Sequence, residues 1–221
     1  MNLVSVIEER KSIRGFLDRA VSRETMESIL QTARWSPSGA NLQPWRVEVV
    51  MGATFARLKS RLTELAGAGV PVNPDYRFHP ETWKEPFSGR RRACGFGLLN
   101  AMGVGRDDAP GRRQAWLANY AFFDAPAAMM LFMDRDLGKG AWMDMGMFLQ
   151  SILLTAHAHG LGVCPQAATA DYPDVVRELL GVDRQFMLLA GLAIGYPDPN
   201  APANAWRTPR LTVAEFATFH E

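Results

Sequence analysis

The sequence predicts a single α+β domain, and three observations carry that prediction. Amphipathic stripes at helical spacing alternate with continuous apolar runs of strand length. No internal repeat, low-complexity tract or linker divides the chain. At 221 residues, 48% hydrophobic and 21% charged, the chain can bury a core without disulfide staples.

Leu3, Val6 and Ile7 recur at helical spacing and predict a short first helix that ends near Arg10-Lys11-Ser12. The second is better marked. Ser22 can cap it, Glu24 sits in the first turn, and Met26, Ile29, Leu30 and Ala33 form one apolar face that stops at Trp35-Ser36-Pro37. Pro37, Gly39 and Pro44 make the next segment a loop, and Val47 to Met51 reads as a strand. Phe55, Leu58, Leu62 and Leu65 mark a further helix, closed by Gly67 and Gly69.

From Val70 to Gly89, four prolines (Pro71, Pro74, Pro80, Pro86) and the aromatics Tyr76, Phe78, Trp83 and Phe87 predict a covering loop able to touch substrate. Arg90 to Asn119 reads as helical in parts, broken at Gly103, Gly105 and Pro110. Ala127 to Met133 is apolar throughout, as a strand buried on both faces requires. The Trp142 to His159 helix stops at Gly160, a short helix runs from Pro173 to a closing Gly181, and Met187 to Ile194 is the last strand.

Composition excludes several classes of function. With 24 Lys and Arg against 23 Asp and Glu, the chain has no long-range field for nucleic acid or anionic membranes, so neither is an expected partner. Trp142 to His159 is interrupted by Asp144, Gln150 and Ser151 and reads as a buried helix rather than a membrane span. Charged residues arrive too early at the N-terminus for a secretory signal, and Cys94 and Cys164 form no CxxC pair, so a reducing cytoplasm is the expected compartment.

Three glycine pairs, Gly95/Gly97, Gly103/Gly105 and Gly160/Gly162, lack the third glycine of a dinucleotide fingerprint. Neither a Walker lysine motif nor a GxSxG elbow occurs. His157 and His159 are two apart on a helix and point in different directions, so they read as structural and no metal is expected. Cys164 has no histidine near it in sequence and reads as a buried, inert thiol.

Two patterns carry chemistry. Arg10, Lys11, Ser12 and Arg14 join cations to a hydroxyl, a combination suited to a phosphate monoester, and Arg207 and Arg210 repeat it near the C-terminus; a solvated charge cluster at each end is the competing reading. Ser36 to Trp45 is a turn-rich loop whose amides can meet the polar edge of a flavin ring or satisfy the loop's own backbone.

With these blocks in order, joined by Gly160-Leu161-Gly162-Val163-Cys164-Pro165-Gln166-Ala167, Gly191 to Pro197 and Arg207 to Arg210, the sequence resembles the FMN-dependent nitroreductase family over nearly its whole length. The Pro-Gln-Ala block and the Asn119 to Pro126 segment resemble the branch that handles nitroaromatic compounds. The resemblance implies a central, mainly antiparallel sheet flanked by helices, in an intertwined homodimer with FMN at the subunit interface. It implies that Arg10, Lys11, Ser12, Arg14, Arg207 and Arg210 hold the phosphate and the polar edge of the flavin. Pro37, Ser38, Gly39, Asn41 and Gln43 would reach the flavin from the partner subunit. Pro165, Gln166 and Ala167 would line the ring, with Asn119 beside them. The implied activity is reduction of nitroaromatic compounds or quinones by NADH or NADPH in a ping-pong cycle, the flavin rather than any side chain carrying the chemistry. Dehalogenation or flavin fragmentation on the same fold, and flavin storage with little turnover, are the alternatives.

Overall fold

The computed structural model describes residues 2–221. Its centre is a four-stranded antiparallel sheet of order β1-β2-β4-β3, made of β1 (Trp45–Met51), β2 (Ala127–Asp134), β3 (Gly162–Gln166) and β4 (Phe186–Gly195). β2 is the central strand that its apolar run predicts, buried from Ala127 to Met133. Its alternating side chains feed two cores. Met129 and Leu131 face one built with the second helix and the longest one, while Met130 and Phe132 face the other.

Helix α1 (Leu3–Glu9) is capped by Asn2, and α2 (Arg23–Ala33) by the Ser22 side chain, which accepts from the Thr25 N–H. α3 (Gly52–Ala68) ends at Gly69 in the left-handed conformation, so Gly67 lies inside the helix and only Gly69 closes it. α4 (Phe87–Ala101) runs unbroken through Gly95 and Gly97, and α5 (Ala109–Leu117) carries Pro110 in its first turn, where proline starts a helix rather than breaking it. α6 (Lys139–Ala158) begins a turn earlier than predicted, and α7 (Pro173–Leu180) ends at Gly181 as expected. α8 (Pro202–Ala205) and α9 (Val213–Phe216) are single turns in the C-terminal segment.

β3 carries the main difference from the sequence reading, which gives this segment no element. It pairs with β4 from Gly162 to Gln166 as an edge strand, the one place in a sheet that tolerates a proline such as Pro165. Outside β3 lies the N-terminal arm, joined by a parallel bridge from Ser12 to Val163 and a 3.1 Å bond from the Ile13 N–H to the Val163 carbonyl. Gly162 permits this approach, because a Cβ there would stand 2.5 Å from the Ile13 side chain.

Residues 70–86 form a loop as predicted, while 87–89 already belong to the first turn of α4, and the loop is fastened down. Buried Asp75 accepts from Arg177, Arg135 and the Leu188 N–H, and the Tyr76 hydroxyl donates to the Leu189 carbonyl at 2.7 Å. The Tyr172 hydroxyl donates to the Val70 carbonyl at 2.9 Å. No helix among the described residues is long and apolar enough to cross a membrane, and none of their side chains cluster as a metal site would require.

Candidate cofactor site

Two groups of predicted residues occupy opposite ends of α6. At its C-terminal end, Arg10, Lys11, Ile13, His157, Gly162 and Val163 surround a pocket of about 140 Å³. Burial lowers the pKa of the Arg10 guanidinium, and the nearby charges of Arg210 and Arg207 lower it further. The two ends of the chain therefore bring three guanidiniums together. None of the ion pairs among the described residues involves any of them. Glu9 also lines the pocket but forms an ion pair with none of them, and like charges gathered without a paired carboxylate are stabilised by an anion; a planar donor fork suits a phosphate.

Asn204, buried in α8, ties this cluster to the arm. Its Oδ1 accepts from the Arg14 N–H at 2.8 Å, and its Nδ2 donates to the carbonyls of Gly15 at 2.8 Å and Asp198 at 3.0 Å. Lys11 Nζ donates to the Asn204 carbonyl, so that cation is already engaged by main chain. Gly97 belongs to a glycine pair that fails as a nucleotide motif, and its role is steric: a Cβ there would stand 2.3 Å from Trp206, which precedes Arg207.

Arg14 lies on the other side of the arm, 5.9 Å from the centre of the Phe123 ring, and shares a pocket of about 400 Å³ with Phe16, Asn119 and Phe123. Gln166 bridges β3 to this region through its Nε2, which donates to the Asn119 carbonyl at 2.6 Å. Its Oε1 is buried without a partner, an acceptor waiting for a donor. Asn119 spends its own amide on the Trp116 carbonyl at 3.0 Å. Pro165 and Ala167 flank Gln166 and are partly exposed.

The loop of Pro37, Ser38, Gly39, Asn41 and Gln43 lies elsewhere, at the N-terminal end of α6. Buried Asp144 accepts from the Gly39 N–H at 3.2 Å, Ser38 Oγ accepts from the Gln43 N–H at 3.0 Å, and Gln43 Nε2 folds back onto the Asn41 carbonyl at 3.2 Å. Ala40, Asn41 and Gln43 all have positive φ, at 49°, 57° and 49°, a conformation that costs non-glycine residues energy and persists only under constraint. Asp144 and His157 are thirteen residues apart on one helix (144 to 157), about 20 Å at 1.5 Å per residue. The structure thus unites the arm, β3 and the C-terminal arginines, and it sets the 37–43 loop apart from them.

Three participants lie outside the predicted set. Asp144 and Asn204 are isolated polar residues whose partners are distant in sequence. His157, read as structural, has a buried Nε2 with no partner and faces the Arg10 pocket. Cys164 is buried as expected, its thiol pushed up to about 11 by burial against a small opposing effect of Arg14.

The chain is similar to known proteins over nearly its whole length. The Nitroreductase family model matches residues 7–196. A chloronitrobenzene nitroreductase of Comamonas testosteroni is 35% identical over 218 residues, spanning 98% of this chain and 96% of that protein. A 4-nitrobenzoate reductase of Pseudomonas putida is 31% identical over 97% of this chain and 94% of its own length. The crystal structure of the FMN and NADPH-dependent nitroreductase NfnB from Sphigopyxis sp. strain HMH superposes with a TM-score of 0.97 at 36% identity, each chain covered completely. Fold and length agree with these matches, and the chain belongs to the nitroreductase family.

Proposed function

We propose that the protein is an FMN-dependent oxidoreductase that uses NADPH or NADH to reduce nitroaromatic compounds or quinones. The observation that carries this reading is the meeting of Arg10, Arg207 and Arg210 with no ion-paired carboxylate, together with a buried Gln166 Oε1 at the other end of β3 that lacks a donor. Both features fit FMN: the guanidiniums suit its phosphate, and the orphan acceptor suits the donors on its ring or ribityl chain. When bound, FMN supplies hydride transfer between donor and acceptor.

The chain's own residues bind and orient. Arg10, Arg207 and Arg210 neutralise the phosphate, with Ser12 as a hydroxyl donor on the arm. Arg14 brings positive charge to the ring's polar edge, where negative charge on a reduced flavin would be stabilised. Pro165, Gln166 and Ala167 would line the ring.

The working unit in this reading is a homodimer. The 37–43 loop is about 20 Å along α6 from the arginine cluster, so it serves the flavin of a partner subunit more readily than that of its own. The Arg10 pocket, at about 140 Å³, is smaller than the roughly 300 to 1,000 Å³ of ordinary ligand sites, as expected of a site completed by a second chain. Exposed Leu3, Val4 and Ile7 on α1, Trp35, and Met143 on α6 supply apolar surface for such an interface.

The test is kinetic. Donor and acceptor occupy the same open space in turn, so initial rates at several fixed acceptor concentrations give parallel double-reciprocal lines. Intersecting lines reveal a ternary complex and refute the shared space. The relatives named above act on an uncharged acceptor, chloronitrobenzene, and on an anionic one, 4-nitrobenzoate. Identities of 35% and 31% do not choose between these classes.

A further inference from the structure

The largest cavity described, about 750 Å³, lies between the 70–89 loop and the turn that follows β3. Tyr76, Phe78 and His79 form one wall, Ala167, Ala168 and Asp171 the opposite wall, and Trp116 and Arg91 come from α5 and α4. Ala167 belongs both to this cavity and to the rim assigned to the flavin ring, so the cavity opens where an acceptor would meet the reactive face. Its size and aromatic walls suit a substituted benzene ring.

Its charges divide unequally. Arg77 is paired with Glu81, and Asp171 accepts from the Tyr120 hydroxyl at 2.6 Å, with His79 close enough to act on it electrostatically. Arg91 is different. Its guanidinium stands 5.3 Å from the centre of the Trp83 ring, and none of the ion pairs among the described residues includes it. It is the guanidinium of the cavity that takes part in no ion pair among the described residues, and it lies over the Trp83 ring.

Resting on the proposed flavin-dependent reduction, we infer that this cavity selects aromatic acceptors bearing an anionic group, carboxylate above all, with Arg91 as the specificity-determining residue. The aromatic walls take the ring, Arg91 meets the carboxylate at the rim, and the nitro group is left to face Ala167. The chemistry balances without a further reagent: one hydride and one proton convert the nitro group to nitroso and release water.

Two paired measurements on the FMN-loaded enzyme test the inference. The first compares kcat/KM for 4-nitrobenzoate with that for the neutral isostere 4-nitrobenzamide. The second follows tryptophan fluorescence, to which Trp116 contributes, during titration with benzoate or benzamide, neither of which has a nitro group to reduce. Because Arg91 is solvent-exposed, the expected preference for the anion is about twofold to fivefold, falling as salt is added. Arg91→Gln abolishes the preference in both measurements and leaves the benzamides unchanged, while Arg91→Lys keeps part of it. Equal handling of the two acceptors by the parent enzyme, or an equal loss for both in Arg91→Gln, overturns the inference. A rise confined to the KM of NADPH also overturns it, since Arg91 would then serve a donor phosphate. Failure to reduce either arene counts against the proposed function instead, and the benzoate titration still decides the role of Arg91.

Discussion

Asp75→Ala removes the bolt of the 70–89 loop, and its cost follows from the buried network. Asp75 and Arg177 are only 6% and 5% exposed, joined by bonds of 2.5 and 3.1 Å, and the same carboxylate accepts from Arg135 and from the Leu188 N–H at 2.9 Å. Removing one partner of a buried ion pair costs about 3 to 5 kcal/mol, because the other charge stays desolvated. Asp174, 2.9 Å from Arg177 and 43% exposed, softens that loss, while the stranded Leu188 N–H adds about 1 kcal/mol or more. The expected total remains about 3 to 5 kcal/mol, or a urea midpoint lowered by about 1 to 1.7 M if the slope is about 3 kcal/mol/M. Urea unfolding with FMN saturating in both proteins measures it. A loss under about 1 kcal/mol refutes the reasoning, since the network would then be worth no more than a surface pair. Acid gives a second check. Burial alone would raise the Asp75 carboxyl, but the hydrogen bonds from Arg177, Arg135 and Leu188 outweigh it and hold the carboxyl below its ordinary value. Its contribution is therefore complete above the unfolded value of about 3.9 and disappears as pH falls through the lower folded value. Below about pH 4 the parent protein loses stability more steeply than Asp75→Asn, which has nothing to titrate there.

Arg10→Ala and Arg210→Ala each remove a charge-assisted bond to a phosphate, worth about 1.5 to 3 kcal/mol, so FMN affinity falls about tenfold to a hundredfold by fluorescence titration. Unchanged affinity in both variants excludes the phosphate assignment. Asp144→Ala frees the Gly39 N–H and with it the three positive-φ residues, so FMN dissociates several-fold faster; Asp144→Asn, which keeps an acceptor at the same place, restores the parent rate. If the asparagine variant matches alanine, the hydrogen bond does not hold the loop. A thiol reagent at pH 8 titrates one cysteine per chain, exposed Cys94, and reaches Cys164 only after denaturation. Two fast equivalents in the native protein contradict the burial of Cys164.

Much of the fold is legible because its signals are periodic or punctuated. β2 is a continuous apolar run, α2 shows a cap and a stripe, and Gly160 and Gly181 stop α6 and α7 in left-handed conformations. α4 is legible only in part, since it buries no residue and so shows no apolar face. β3 escapes detection because five residues containing Gly162 and Pro165 carry little strand propensity; pairing with β4 makes the strand. The arginine cluster shows the same limit at the site. Arg10, Arg207 and Arg210 are visible as charges, but only folding brings positions some two hundred residues apart into one another's field. Asp144 reads in sequence as a blemish in an apolar helix, and its bond to Gly39 gives it meaning only in three dimensions.

The arm's seat against Gly162 bears on how such an enzyme can change its diet. Arg10 and Ser12 are registered on the edge of a hydrogen-bonded sheet, where even one added methyl would displace Ile13. The far wall of the acceptor cavity is a loop without regular structure, bolted at Asp75 and Tyr76 and free of ladder constraints beyond them. In the proposed reading, retention of the cofactor and choice of the acceptor are thus inherited through largely separate parts of the chain, with Ala167 common to both. Residues 77–83 can vary, lengthen or shift their charge with little effect on the grip on the flavin, so new acceptors are reachable by small steps that never pass through an enzyme without its cofactor.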